Sequence, residues 1–132
     1  MKLGMTLYLQ DSPKAVDLYM EAFNLTLDGG YAMHPDGTFM HAPLCRNGQE
    51  LFAVSEAPTG ELAKAVLQTA ASHISPIASH GIDFDSEEAL EKAYETLTDG
   101  GIVIRPLGKL PWDSLSAEIV DRFGVCWCLV KW

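Results

Sequence analysis

The sequence predicts an α+β fold made of two βαβββ modules whose curved sheets close around a cleft. Three observations predict it. First, periodicity and turn chemistry read as strand, helix and three strands, then a connector, then the same order again. Second, the run from Gly37 to Val54 shares its plan of strand, tight turn and strand with the run from Trp112 to Trp127. Laying Gly48 on Gly124 places Arg46 on Arg122, Leu44 on Val120 and Val54 on Val130. Third, 132 residues suffice for one ordinary domain or for two half-size modules sharing a core. A chain of this length needs no disulfide or metal to fold.

Residues 3–10 alternate, with Met5, Leu7 and Leu9 on one face and Gly4, Thr6 and Tyr8 on the other, which predicts a half-buried strand. Ser12 then Pro13 is a helix start, because proline suits a first-turn position where no donor is needed. Ala15, Val16, Tyr19, Ala22 and Phe23 follow at helical spacing and carry the helix to about Phe23. Asp28-Gly29-Gly30 is a turn, Tyr31 to Met33 a short strand, and His34-Pro35-Asp36-Gly37 a hairpin-type connection. Thr38 to Leu44 and Glu50 to Val54 are strands joined by Arg46-Asn47-Gly48, where Asn-Gly supplies the positive φ of a tight hairpin.

The first module thus spans residues 1–56. Residues 57–76 form a connector, predicted to include a helix with Leu62, Ala65, Val66, Thr69 and Ala70 on one face. The second module spans 77–132. Its first strand is Ile77 to Phe84. Asp85 and Glu88 suggest a capping box for a helix bearing Ala89, Leu90, Ala93, Tyr94 and Leu97, which Gly100-Gly101 ends. Ile102 to Ile104 is a strand, Pro106 to Trp112 a loop, and Ser114 to Asp121 and Val125 to Lys131 the last two strands.

The net charge of −9 and the lack of a basic stripe argue against nucleic acid as a partner, because phosphates would be repelled. The acidic side chains are scattered, as on a soluble surface. Three cysteines without framework spacing fit a reducing compartment. Met1 runs directly into the first strand pattern without a leader, and no apolar run is long enough to span a bilayer. The expected address is the cytoplasm, with no membrane partner.

Two stretches carry a family likeness. Phe39-Met40-His41-Ala42-Pro43-Leu44 with Asn47-Gly48-Gln49-Glu50-Leu51 is one; Asp121-Arg122-Phe123-Gly124-Val125-Cys126-Trp127 is the other. Tyr94 to Gly101, Leu7-Tyr8-Leu9 and the helix to Phe23 add to it. The chain resembles the vicinal oxygen chelate superfamily, the glyoxalase and bleomycin-resistance group. Within it the sequence is most similar to the PhnB-like branch, also called the 3-demethylubiquinone methyltransferase-like domain. The likeness covers most of the chain and fails mainly between Ala57 and Ile77.

The resemblance implies a ligand site between the modules and, in metal-dependent members, His or Glu ligands on the first and last strands of each module. Matched to those positions, this sequence offers Gly4, Phe52, Ser79 and Cys128. That set cannot hold zinc, iron or nickel, so no metal and no cofactor are expected. A one-residue slip would put His80 in place of Ser79 and would still leave too few ligands.

The residues expected to face a ligand are Thr6, Tyr8, Phe52, Asp83, Cys126 and Cys128, with Trp112 at the rim. Together they make an apolar and aromatic surface with few polar points, which suits a small organic molecule. Cys126 and Cys128 lie on one strand face, too splayed to bond each other; they read as small apolar fillers or, alternatively, as a reactive thiol. His41 is either a hydrogen-bonded structural group or a ligand contact. Glu118 is a candidate general base if buried. His34 and His73 sit in loop and connector contexts and carry no expectation of function. Asp121 and Arg122 read as a structural turn pair.

Three functions compete. A metal-independent small-molecule binder follows from the aromatic face. A metal-dependent lyase, isomerase or dioxygenase would need ligands from positions such as His41, His80, Glu118 or Cys128. A structural or regulatory dimer would use the fold for association alone. No glycine-rich strand-to-helix turn for an S-adenosyl group is present. The resemblance also implies a homodimer.

Overall fold

The structure is a computed structural model, and it describes residues 1, 3–61, 78–111 and 114–132. The expected connector helix and Trp112 lie outside the described residues. The chain divides into two compact units, Met1–Ala71 and Ser72–Trp132.

In the first unit, β1 (Thr6–Leu9) leads into α1 (Ser12–Phe23), followed by β2 (Thr26–Leu27), β3 (Ala32–Met33), β4 (Phe39–Arg46) and β5 (Gln49–Glu56). The sheet order is β1-β5-β4-β2, with β3 also paired to β4. β1 runs parallel to β5, and the β4–β5 hairpin is antiparallel. One strand was expected between α1 and the hairpin. Two short pieces are found, because the chain leaves β4 at Asp28-Gly29-Gly30 and returns to it at Ala32.

The core of this unit lies between α1 and one sheet face. Leu7, Leu9, Leu44, Phe52 and Val54 are buried, as are Ala15, Val16, Tyr19, Ala22 and Phe23 of the helix. Tyr19 stacks on Phe23, and both meet Phe52 edge-on, at 5.7 and 6.3 Å between ring centroids. Paired rings of this kind add to what their burial already contributes.

In the second unit, β6 (His80–Asp83) leads into α2 (Glu87–Thr98), then β7 (Ile102–Lys109), β8 (Leu115–Val120) and β9 (Cys126–Lys131). The sheet order β6-β9-β8-β7, with β6 parallel to β9, repeats that of the first unit. Phe84, Leu90, Ala93, Leu97, Ala117, Ile119, Trp127 and Leu129 form its buried core. Ser86 caps α2 by accepting from the Ala89 amide at 3.1 Å, one residue later than the cap expected at Asp85.

β7 runs on to Lys109, although Pro106 was read as the start of a loop. Proline has no amide donor for a ladder, but β7 stands at the edge of the sheet among the described residues, and its pairing with β8 shifts between Arg105 and Gly108.

The equivalence of the two units needs a one-residue correction. Leu44 pairs with Phe52 and Ile119 with Trp127, all four side chains being fully buried. Phe52 therefore corresponds to Trp127, not to Cys128. The glycine-to-glycine alignment misleads because the two hairpins place their extra residue differently. In the first, Asn47 (φ 52°) and Gly48 (φ 74°) make a two-residue turn, and Leu51 bulges between the Cys45–Glu50 and Leu44–Phe52 pairs. In the second, the ladder is regular and the turn holds three residues, Arg122 to Gly124, closed by the Asp121 amide on the Val125 carbonyl at 2.9 Å.

Candidate functional site

Successive strand residues point to opposite faces, so burial against the helices fixes the face that turns away from them. In the first unit this outer face carries Thr6 and Tyr8 of β1 beside their β5 partners Ala53 and Ser55. Tyr8 is 64% exposed. Phe52 was expected here and is not; it is 1% exposed and packed on Tyr19 and Phe23 of α1. The Leu51 bulge is the reason, because an added residue reverses every following side chain.

In the second unit the outer face carries Gly81 and Asp83 of β6, Ser116 and Glu118 of β8, and Cys126 and Cys128 of β9. Asp83 is exposed, Cys126 buried and Cys128 half-buried. Cys128 pairs with Gly81, while the His80 ring lies 5.4 Å from that of Trp127, so His80 does not join Cys128. Arg105 reaches across this face, donating from Nη1 to the Ser116 hydroxyl at 2.7 Å, with Nε 3.8 Å from Glu118. Burial pushes the Cys128 thiol up, and the Glu118 carboxylate adds to the shift. At neutral pH this group is a thiol, not a nucleophilic thiolate.

Asp121 holds the β8–β9 turn. Its Oδ1 accepts from the amides of Phe123 (2.9 Å) and Val125 (3.1 Å), and its Oδ2 from the Trp127 indole at 2.8 Å. At 3% exposure it is a structural anchor, as its place in the turn predicts.

The first unit contains a hollow of about 880 Å³ beside Tyr8. Its other walls are His34, Pro35, Asp36 and Thr38 of the β3–β4 turn, and the chain from Glu56 to Thr59 at the end of β5. The turn is set by the His34 amide on the Thr38 carbonyl at 2.8 Å and by Gly37 at φ 85°, a conformation that favours glycine. Asp36 Oδ1 accepts from both the amide (2.9 Å) and the hydroxyl (2.7 Å) of Thr38. Those bonds, led by the hydroxyl, hold the Asp36 carboxyl below its ordinary range, and His34 lowers it further.

Glu56 has a different task. The N-cap residue Asp11 sits in the left-handed region (φ 57°) and makes no side-chain cap. The Glu56 carboxylate caps α1 instead, accepting from the amides of Asp11 (3.0 Å) and Ser12 (2.8 Å).

Of the residues expected to face a ligand, Thr6 and Tyr8 share one outer face and Asp83, Cys126 and Cys128 another. Phe52 belongs to a core, and Trp112 lies outside the described residues. Sequence reasoning gave His34 no role and missed Asp36, Thr38 and Glu56. The His34-Pro35-Asp36-Gly37 turn was visible, but nothing local says that it folds toward Tyr8.

Among the described residues, those at the positions where metal-dependent members carry ligands do not fit a metal ion. With the register corrected, Ala53 stands on the outer face in place of Phe52, and neither offers a donor. Among the described residues no three His, Cys, Asp or Glu side chains converge.

The profile of the Glyoxalase/Bleomycin resistance protein/Dioxygenase superfamily matches residues 4–129. The chain belongs to this superfamily. Its fold is similar to the PhnB protein from Bacillus cereus (TM-score 0.77, 20% identity, 100% of each chain covered). It is also similar to protein PA1353 from Pseudomonas aeruginosa (0.66, 24%, 98% of each chain) and to TioX from Micromonospora sp. ML1 (0.64, 18%, 100% of this chain and 96% of that one). At these identities the likeness is one of fold. No curated protein matches the sequence. No described helix is long and apolar enough to cross a membrane.

Proposed function

We propose that this glyoxalase-fold protein binds a small organic molecule on the outer face of its first unit, against Tyr8, and does so without a tightly bound metal ion. The hollow beside Tyr8 carries this reading. Its volume of about 880 Å³ lies in the range of small-molecule sites. Its walls combine two rings, Tyr8 and His34, and two prolines, Pro35 and Pro58, with the polar side chains of Asp36, Thr38, Glu56 and Thr59, a mixture of apolar surface and orienting groups that such sites use. The exposed Tyr8 ring offers a planar ligand a stacking surface at small entropic cost. The sparse donor set supports the metal-free half of the reading.

A thermal-shift screen of planar organic compounds against purified protein, with elemental analysis of the same sample, tests both halves. Hits should raise Tm in the parent protein and lose the effect in Tyr8→Ala. Metal should stay far below one ion per chain. Binding indifferent to Tyr8, or a stoichiometric transition metal, would overturn the reading. We also propose that the chain works as a homodimer in the cytoplasm; light scattering behind a sizing column would show twice the chain mass, and a monomer would refute it.

A further inference from the structure

We propose that the ligand of the Tyr8 hollow is an organic cation, a flat apolar body bearing one positive charge, with Asp36 as its counter-ion. The inference rests on the small-molecule reading and adds the charge of the ligand to it.

The geometry of the β3–β4 turn carries it. Both hydrogen bonds that Asp36 accepts from Thr38 fall on Oδ1, and no other described residue is seen to donate to Oδ2. Thr38 fixes the carboxylate in place, so a ligand meets a preorganised anion and need not order one. Among the described residues no lysine or arginine lines the hollow, and His34 is the one basic side chain in its described wall. Glu56 is engaged with the first amides of α1, and the positive end of that helix offsets its charge; Asp36 therefore carries the preference. Tyr8 adds a ring face, and such faces attract cations as well as flat rings. A ligand carboxylate set against Asp36 would be repelled, on a chain whose net charge is already −9.

The test compares three tricyclic probes of one shape, 9-aminoacridine (cationic at pH 7.5), acridine (neutral) and acridine-9-carboxylate (anionic), titrated by fluorescence into the full chain and into Asp36→Asn. Asparagine keeps the acceptor for Thr38 and removes only the charge; circular dichroism checks that the variant is folded. 9-Aminoacridine should bind about tenfold more tightly than acridine, the scale of one counter-ion plus a ring face in a half-exposed site. Asp36→Asn should remove most of that ratio and leave acridine unchanged, and added salt should shrink it. Equal binding of acridine and 9-aminoacridine, or a ratio indifferent to Asp36, would overturn the charge assignment and leave the small-molecule site standing. Tighter binding of the carboxylate would overturn it as well. Failure of all three probes would overturn the charge assignment together with the site itself.

Discussion

Replacing Asp121 with alanine should unfold the second unit's hairpin from its turn outward. The carboxylate receives at least three donors, the amides of Phe123 and Val125 and the indole of Trp127. Alanine leaves all three without it. The Trp127 side chain is 0% exposed, so water cannot stand in for the lost acceptor without opening the core. A hydrogen bond to a charged group contributes about 1.5–3 kcal/mol, and a stranded buried donor costs about 1–3 kcal/mol. The two turn amides are nearer solvent and recover part of their loss in water. The total comes to about 4 kcal/mol, a large share of the stability of a domain this size. Urea denaturation followed by tryptophan fluorescence measures it, with about 12 °C lost from Tm as a second readout. Asp121→Asn should cost about half as much, because its amide oxygen still serves the turn while its NH₂ meets the indole N–H. A cost below about 1 kcal/mol for alanine would refute the reasoning and show that the turn is held by its ladder alone.

Three further outcomes follow from the same structure. Glu56→Ala removes the side-chain cap at the N-terminus of α1 and should cost about 1–2 kcal/mol in chemical denaturation, whereas Asp11→Ala, whose side chain caps nothing, should cost less. Gly101→Ala would place a Cβ 2.6 Å from the Val120 carbonyl oxygen and 2.8 Å from that of Leu97; these are backbone atoms, so the cost should reach about 2 kcal/mol or more by thermal denaturation. Cys128 should alkylate more slowly than free cysteine at pH 7.5, because a raised pKa leaves less thiolate at a given pH; its rate should climb as pH rises toward the thiol's own pKa, and Glu118→Gln should speed it by removing a charge that helps to raise that pKa. Mass spectrometry of iodoacetamide-treated protein reads the rate.

The fold was legible in the sequence wherever local chemistry and the global pattern agree. Ser12-Pro13 opened α1, Asn47-Gly48 made the tight turn, and the apolar alternation of Leu7 and Leu9 chose the buried face. The failures share one cause, in that a single residue added or paired elsewhere leaves no local mark. Leu44 to Phe52 and Ile119 to Trp127 have the same length, yet one hairpin stores its extra residue as the Leu51 bulge and the other in its turn. Aligning the turn glycines therefore moved Phe52 from the core to the outer face. Pro106 looked like a strand terminator and proved compatible with an edge. The site was less legible than the fold. Tyr8 could be placed from alternation, but Asp36 and Glu56 reach the same hollow from separate turns and strand ends, and only tertiary folding joins them. Glu56 capping α1 from far along the chain has no signature in either stretch taken alone.

The most direct measurement is an amide chemical-shift titration of chelator-treated, isotopically labelled protein with 9-aminoacridine. Saturable shifts confined to Tyr8, the turn from His34 to Thr38 and the segment Glu56 to Thr59 are what a metal-free organic-ligand site in the first unit predicts. Unmoved resonances at those positions, or shifts that begin only when a divalent ion is restored, would contradict it.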